Sequence, residues 1–190
     1  MSKARLLRAA ERRAQAWKNG GGTTREVTAF PPGSSLDDFD WRISIADVMD
    51  GGAFSRFEGV DRIITILSGM LDLEVDGRTV RLTPADAPHA FAGDAPTIGA
   101  PVAGPVRDLN VMVRRSGVKA TVERAGEGAI IAIDGRHMFV AVALTPAWIV
   151  LDGQPVQLAE QDAVMIDAGG ETEMLSVAIG ALCVIRIGYP

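Results

Sequence analysis

The amino-acid sequence predicts an all-β protein made of two similar small β units in one chain. Three observations carry that prediction: many short segments rich in Val and Ile, turn residues at the breaks between them, and an internal repeat of constant spacing.

The segments that read as strands are Thr24 to Phe30, Trp41 to Ala46, Arg62 to Leu67, Leu71 to Val75, Arg107 to Arg114, Met138 to Leu144 and Ala147 to Leu151. Gly, Pro and Asp punctuate the gaps, the pattern expected of sandwiches and barrels. Only residues 1–16 have a helical flavour, because Ala, Leu, Arg and Glu dominate there. Propensity is a weak guide, and a short strand or an irregular arm leading into Trp17 is the alternative.

The repeat is the most informative feature. The stretch from Asp76-Gly77 through Val80, Leu82 and Asp86 to Ala87 aligns without gaps to Asp152-Gly153 through Val156, Leu158 and Asp162 to Ala163, at a constant offset of 76 residues. Each copy encodes an Asp-Gly turn, a short strand with alternating apolar positions, a second turn and another strand. Leu71, Leu73 and Val75 precede one copy; Ala147, Ile149 and Leu151 precede the other. The bland reading is two unrelated hairpins with the same turn chemistry. The stronger one is a duplicated β unit with its boundary near Ser116 to Lys119, giving one unit over residues 1–116, leading arm included, and another over 117–190.

Composition narrows the function classes. A hydrophobic content of 47% over 190 residues supports a substantial core. A net charge of −5 offers no field for a polyanion, so nucleic acid is not expected as a partner. The basic run Lys3, Arg5, Arg8, Arg12 and Arg13 is interrupted by Glu11 and reads as a solvated face. Residues 1–30 hold no apolar signal-peptide core, and Met138 to Leu151 is broken by Thr145 and Pro146 and is too short for a membrane span. A cytoplasmic protein with no membrane partner is the expectation, and the single Cys183, in an apolar strand, fits a reducing compartment better than a nucleophilic role.

An Asp-Gly turn, a strand, Pro-x-Asp and another strand resemble the second half of a cupin barrel, and two copies suggest a bicupin. Trp17-Lys18-Asn19-Gly20-Gly21-Gly22-Thr23-Thr24-Arg25-Glu26, Trp41-Arg42-Ile43-Ser44, Phe54-Ser55-x-Phe57, Gly59-Val60-Asp61-Arg62 and Asp108-Leu109-Asn110-Val111-Met112 resemble the signatures of the HutD/Ves family. The resemblance implies a bicupin with two small β-barrels of jelly-roll type. It also implies an accessory or regulatory role in bacterial histidine utilisation, through binding of a pathway metabolite, with no catalytic reaction firmly implied.

The residues themselves permit less chemistry than metal-dependent cupins perform. A His-x-His pair, a Glu and a third His would be needed, whereas the chain has two histidines, His89 and His137. No metal and no other cofactor are expected. His89 follows Pro84-x-Asp86 near the place of a cupin's last metal ligand, so a ligand-contacting role is weighed against a structural one. Gly20-Gly21-Gly22 lacks the Gly-Lys-Ser/Thr ending of a phosphate loop and reads as a flexible turn. No Ser-His-Asp or Cys-His set stands out, and no catalytic residue is assigned.

Polar residues inside apolar strands are the better candidates, because burying them is costly unless a partner answers the charge. Arg62 shares a face with Ile64 and Ile66; if that face lines an interior, it presents a two-donor fork suited to a carboxylate. Alternation also separates Arg42 and Ser44 from Trp41, Ile43 and Ile45, and Asp108 and Asn110 from Leu109 and Val111. Glu26 and Asp61 are candidate internal counter-ions. The competing view is ordinary: strand-end arginines pair with nearby acids, and outward polar residues meet water. The resulting expectation is a binding site of Arg62, Arg42, Glu26, Asn110, Asp61 and His89 for a small acidic metabolite, N-formylglutamate or a neighbouring compound. The alternatives are a metal-independent isomerase or hydrolase using the same polar cup, or a protein-interaction scaffold. Edge strands make a homodimer plausible.

Overall fold

A computed structural model describes residues 3–167, 169–170 and 172–189. The chain opens with β1 (Lys3–Leu7) and a single 3-10 turn (Ala9–Glu11). No α-helix forms over residues 1–16, because β1 pairs antiparallel with a strand near the far end of the chain, from Lys3 opposite Asp167 to Leu7 opposite Ala163. Long-range pairing overrides local propensity here. Among the described residues, no helix is long and apolar enough to cross a membrane.

Ten strands follow: β2 (Ala14–Ala16), β3 (Gly22–Phe30), β4 (Trp41–Val48), β5 (Gly52–Ala53), β6 (Val60–Ser68), β7 (Leu71–Val75), β8 (Arg78–Leu82), β9 (His89–Ala92), β10 (Thr97–Pro101) and β11 (Val106–Arg114). The remaining eight are β12 (Lys119–Ala125), β13 (Ile130–Ile133), β14 (Met138–Ala143), β15 (Ala147–Leu151), β16 (Gln154–Leu158), β17 (Ala163–Asp167), β18 (Glu173–Ile179) and β19 (Leu182–Gly188). Two compact units result. The first is Arg13–Val118; the second runs from Lys119 onward and includes the residues up to Arg12. The leading arm is therefore not part of the first unit, a correction to the 1–116 division, and its ladder to β17 is the reason.

Each unit consists of two open sheets. The first has the orders β2-β3-β4-β11-β6-β9 and β5-β10-β7-β8, the second β1-β17-β14-β19-β12 and β13-β18-β15-β16. The ladders do not close into hydrogen-bonded barrels, contrary to the expected architecture. What joins the sheets of a unit is side-chain packing. In the first unit Ala46, Ile64, Ile66 and Val106 of one sheet share a core with Leu71, Leu73 and Leu82 of the other. In the second, Phe139, Ala141, Val164 and Val184 meet Ile149, Leu158, Leu175 and Val177.

The repeat corresponds to two hairpins in the same register. β7 and β8 pair from Leu71 opposite Leu82 to Val75 opposite Arg78, and β15 and β16 pair from Ala147 opposite Leu158 to Leu151 opposite Gln154. Asp76 and Gly77 have φ of 49° and 75°, and Asp152 and Gly153 have 48° and 73°. Positive φ at both central positions is the tight turn whose twist matches the flanking strands. The next turn is also shared: Asp86 accepts the Thr83 backbone N–H at 2.7 Å, and Asp162 accepts the Ala159 N–H at 3.1 Å.

Candidate functional site

The first unit contains a cavity of about 680 Å³, within the range of small-molecule sites. Its floor is the six-stranded sheet, and it exists because this sheet is buried on both faces. Trp41, Ile43, Ile45, Leu109 and Val111 are buried on one face; Arg42, Ser44, Asp108 and Asn110, which alternation sends to the other, are buried as well. The polar face thus meets a cavity rather than bulk water.

Three ladder rungs build the floor. Arg42, Met112 and Arg62 lie side by side across β4, β11 and β6; Ser44, Asn110 and Ile64 form the next rung; Ala46, Asp108 and Ile66 form the third. A register shift between Arg107 and Asp108 in the β11–β6 ladder adjoins this third rung, and another between Glu26 and Thr28 adjoins Glu26. Bulges of this kind re-aim side chains and recur beside binding sites.

Arg62 is 6% exposed. Its guanidinium carbon lies 4.9 Å from the centre of the Phe54 ring, 5.1 Å from Phe91 and 5.9 Å from Phe57. Cation–π attraction compensates part of its lost hydration. Its Nε donates a long hydrogen bond of 3.4 Å to Asn110 Oδ1. Burial, opposed by Asp108 and reinforced by Arg42, lowers its pKa to about 10, so it stays charged at neutral pH. No carboxylate is bonded to it among the described residues.

Arg42 is held differently. Its Nε donates to Glu26 Oε2 at 2.9 Å and its Nη1 to Ser44 Oγ at 3.3 Å. Glu26 is the counter-ion of Arg42, reached from β3, and is not itself part of the cavity wall. Asp108 is 3% exposed and has no hydrogen-bond or ion-pair partner among the described residues. Burial raises its carboxyl pKa to about 7, with Arg62 pulling it down and Asp47 adding to the rise.

Above this floor, Trp17, Lys18 and Asn19 contribute to the rim. Trp17 Nε1 donates to Thr24 Oγ1 at 2.8 Å, and the Gly21 N–H donates to Asn19 Oδ1 at 3.1 Å. A Cβ at Gly22 would stand 2.5 Å from the Asp47 carbonyl oxygen and 3.1 Å from the Trp17 ring, so glycine is required for this close approach. Gly22 is therefore required by its packing against Trp17, a rim residue.

Of the expected site residues, Arg62, Arg42 and Asn110 are brought together, and Glu26 adjoins them through Arg42. Asp61 is not an internal counter-ion: as the neighbour of Arg62 on the strand it points to the other face, where it accepts a 2.6 Å bond from Arg115. His89 does not line the cavity either; it pairs with Ile64 across β6–β9 and its ring stacks on Phe91 at 6.4 Å. The sequence reading did not select Asp108, Phe54, Phe57 or Phe91. The signal for Asp108 was present in its alternation with Asn110. The rings come from separate segments that only the fold assembles.

The sheet that carries β14 and β19 in the second unit turns an apolar core inward. There, β14 and β19 place Ala143 opposite Leu182 and Ala141 opposite Val184. All four of these residues belong to the apolar core, which fills the space.

Known proteins resemble the whole chain. The Pseudomonas putida protein named for the region 3′ of hutC is 34% identical over 98% of both chains. Protein Ves of Citrobacter koseri is 37% identical over 80% of this chain and 77% of its own. The structure of HutD from Pseudomonas fluorescens superposes with a TM-score of 0.87 at 28% identity, covering 99% of this chain and 100% of that one. A cupin 2 barrel-domain protein from Leptotrichia buccalis, at 8% identity and a TM-score of 0.62 over 93% and 92% of the chains, shares the fold alone. The HutD family profile matches residues 9–184, and the chain belongs to the HutD family.

Proposed function

We propose that the first unit binds a small acidic metabolite, with Arg62 as the carboxylate anchor. The observation that carries this is a buried, charged guanidinium on a cavity wall, gripped by three phenyl rings and lacking a bonded carboxylate of its own. A buried charge without such a partner is costly, and a ligand carboxylate answers it with two parallel bonds. Asn110 orients the guanidinium, and Arg42, partly neutralised by Glu26, adds positive potential. N-formylglutamate is the leading ligand, and an accessory or regulatory role in histidine utilisation the leading context. The family and the relative named for the hutC region support that context. A bicupin origin is supported by the two hairpins in matching register and by the cupin-like neighbour.

A thermal-shift screen with N-formyl-L-glutamate and related pathway acids tests the reading. A ligand at one hundred times its Kd adds about 2.7 kcal/mol of stability. Wild type should be stabilised and a folded Arg62→Ala variant should not be; equal shifts in both would make Arg62 structural.

One observation favours a second reading. A carboxyl near pKa 7 in a cavity suits general acid–base catalysis, which makes Asp108 the centre of a metal-independent enzyme reading. Product formation from a bound acid, followed by NMR and abolished in Asp108→Asn, would establish it; stoichiometric binding without turnover would dismiss it.

A further inference from the structure

Asp108 and Arg62, an acid and a base, occupy the same cavity wall, yet they are not bonded to each other. Their rungs are four residues apart along β11, about 13 Å at the backbone. Arg62 leans back toward Asn110, which takes the intermediate rung and accepts its Nε. The Asp108 carboxyl is left facing the cavity without a partner among the described residues. Buried polar groups in folded proteins are almost always satisfied, and folding gains nothing from this carboxyl. Ile66 and Ala46, its neighbours on the rung, are apolar. An apolar residue would serve the core there, so the carboxylate is best explained by what enters the cavity.

We infer that the cavity holds its ligand at two ends, with Arg62 taking a carboxylate and Asp108 accepting an N–H donor of the same molecule. The ligand class is then an amino acid derivative bearing an amide or ammonium N–H, and Asp108 is the residue that discriminates it from a plain carboxylic acid. This rests on the carboxylate-binding role proposed for Arg62.

Calorimetry with three probes tests the inference: N-formyl-L-glutamate, L-glutamate, and glutarate, which keeps both carboxylates and lacks the N–H. Wild type should bind at least one N–H probe about tenfold more tightly than glutarate, and which one wins tells an amide from an ammonium site. Asp108→Ala should bring that probe to the glutarate level and leave glutarate itself unweakened. Asp108→Asn keeps the shape and covers failure of the alanine variant to fold; in it the preference should shrink at least about threefold. Arg62→Ala should lose all three probes. Equal affinities in wild type, or a preference that persists unchanged in the Asp108 variants, would overturn the role of Asp108 alone. Binding of no probe to wild type would overturn the carboxylate reading, and this one with it.

Discussion

Asp108→Asn should stabilise the protein, and by more at pH 8 than at pH 5. The Asp108 carboxyl titrates at about 7 in the fold against an ordinary value of 3.8, chiefly because it is buried. A raised acid pKa means that the folded chain holds the proton more tightly than the unfolded chain. Its contribution is fully present below about pH 4 and is lost as pH rises through about 7. At about 1.4 kcal/mol per pH unit, the raised pKa costs the fold about 4 kcal/mol at pH 8, where the buried carboxyl is ionised, and just under 2 kcal/mol at pH 5, where it is held protonated while the unfolded chain's is ionised. Asparagine keeps the shape and cannot ionise. The stability difference between variant and wild type should therefore widen by about 2–3 kcal/mol between the two pH values. Urea unfolding at pH 5, 6, 7 and 8 measures it, each variant compared with wild type at the same pH. A difference that stays flat across the series would refute the reasoning, because it would mean that the carboxyl does not titrate in this window and that some group answers its charge.

Arg62→Lys should recover only part of the ligand affinity lost in Arg62→Ala, itself about 2–5 kcal/mol, since lysine keeps the charge and loses the planar fork; calorimetry separates partial from full rescue. Asp162→Ala should destabilise by about 2–4 kcal/mol, because buried Asp162 accepts the Ala9 and Ala159 N–H groups and pairs with Arg8 at 2.7 Å. The exposed counterpart Asp86→Ala should cost clearly less than Asp162→Ala in the same denaturation assay, as it caps only Thr83. Elemental analysis of the purified protein should find no stoichiometric transition metal, since one of its two histidines lies in each unit; nearly one equivalent of metal per chain, lost in His89→Ala, would refute that.

Sequence alone determined the β character, most strand positions and the duplicated hairpin. Leu71–Val75 and Ala147–Leu151 form strands with the boundaries read from the sequence, because Asp-Gly turns and period-two alternation are local properties of the chain. Alternation also put Arg62 on one face of its strand with Ile64 and Ile66, Arg42 opposite Trp41 and Ile43, and Asn110 with Asp108 on a polar face. It could not say whether that face meets water or a cavity, since this depends on the opposing sheet and the rim that cover it. Nor could it say that Glu26 would reach Arg42 from β3, that Asp61 would turn outward to Arg115, or that β1 would pair with β17 across most of the chain. Phe54 and Phe57, from the segment between β5 and β6, and Phe91, from β9, converge on Arg62 only once these segments pack together. Local alternation decides which side of a strand a residue takes, whereas long-range pairing and packing decide what that side faces, and this second step turned polar residues of three strands into the lining of a cavity.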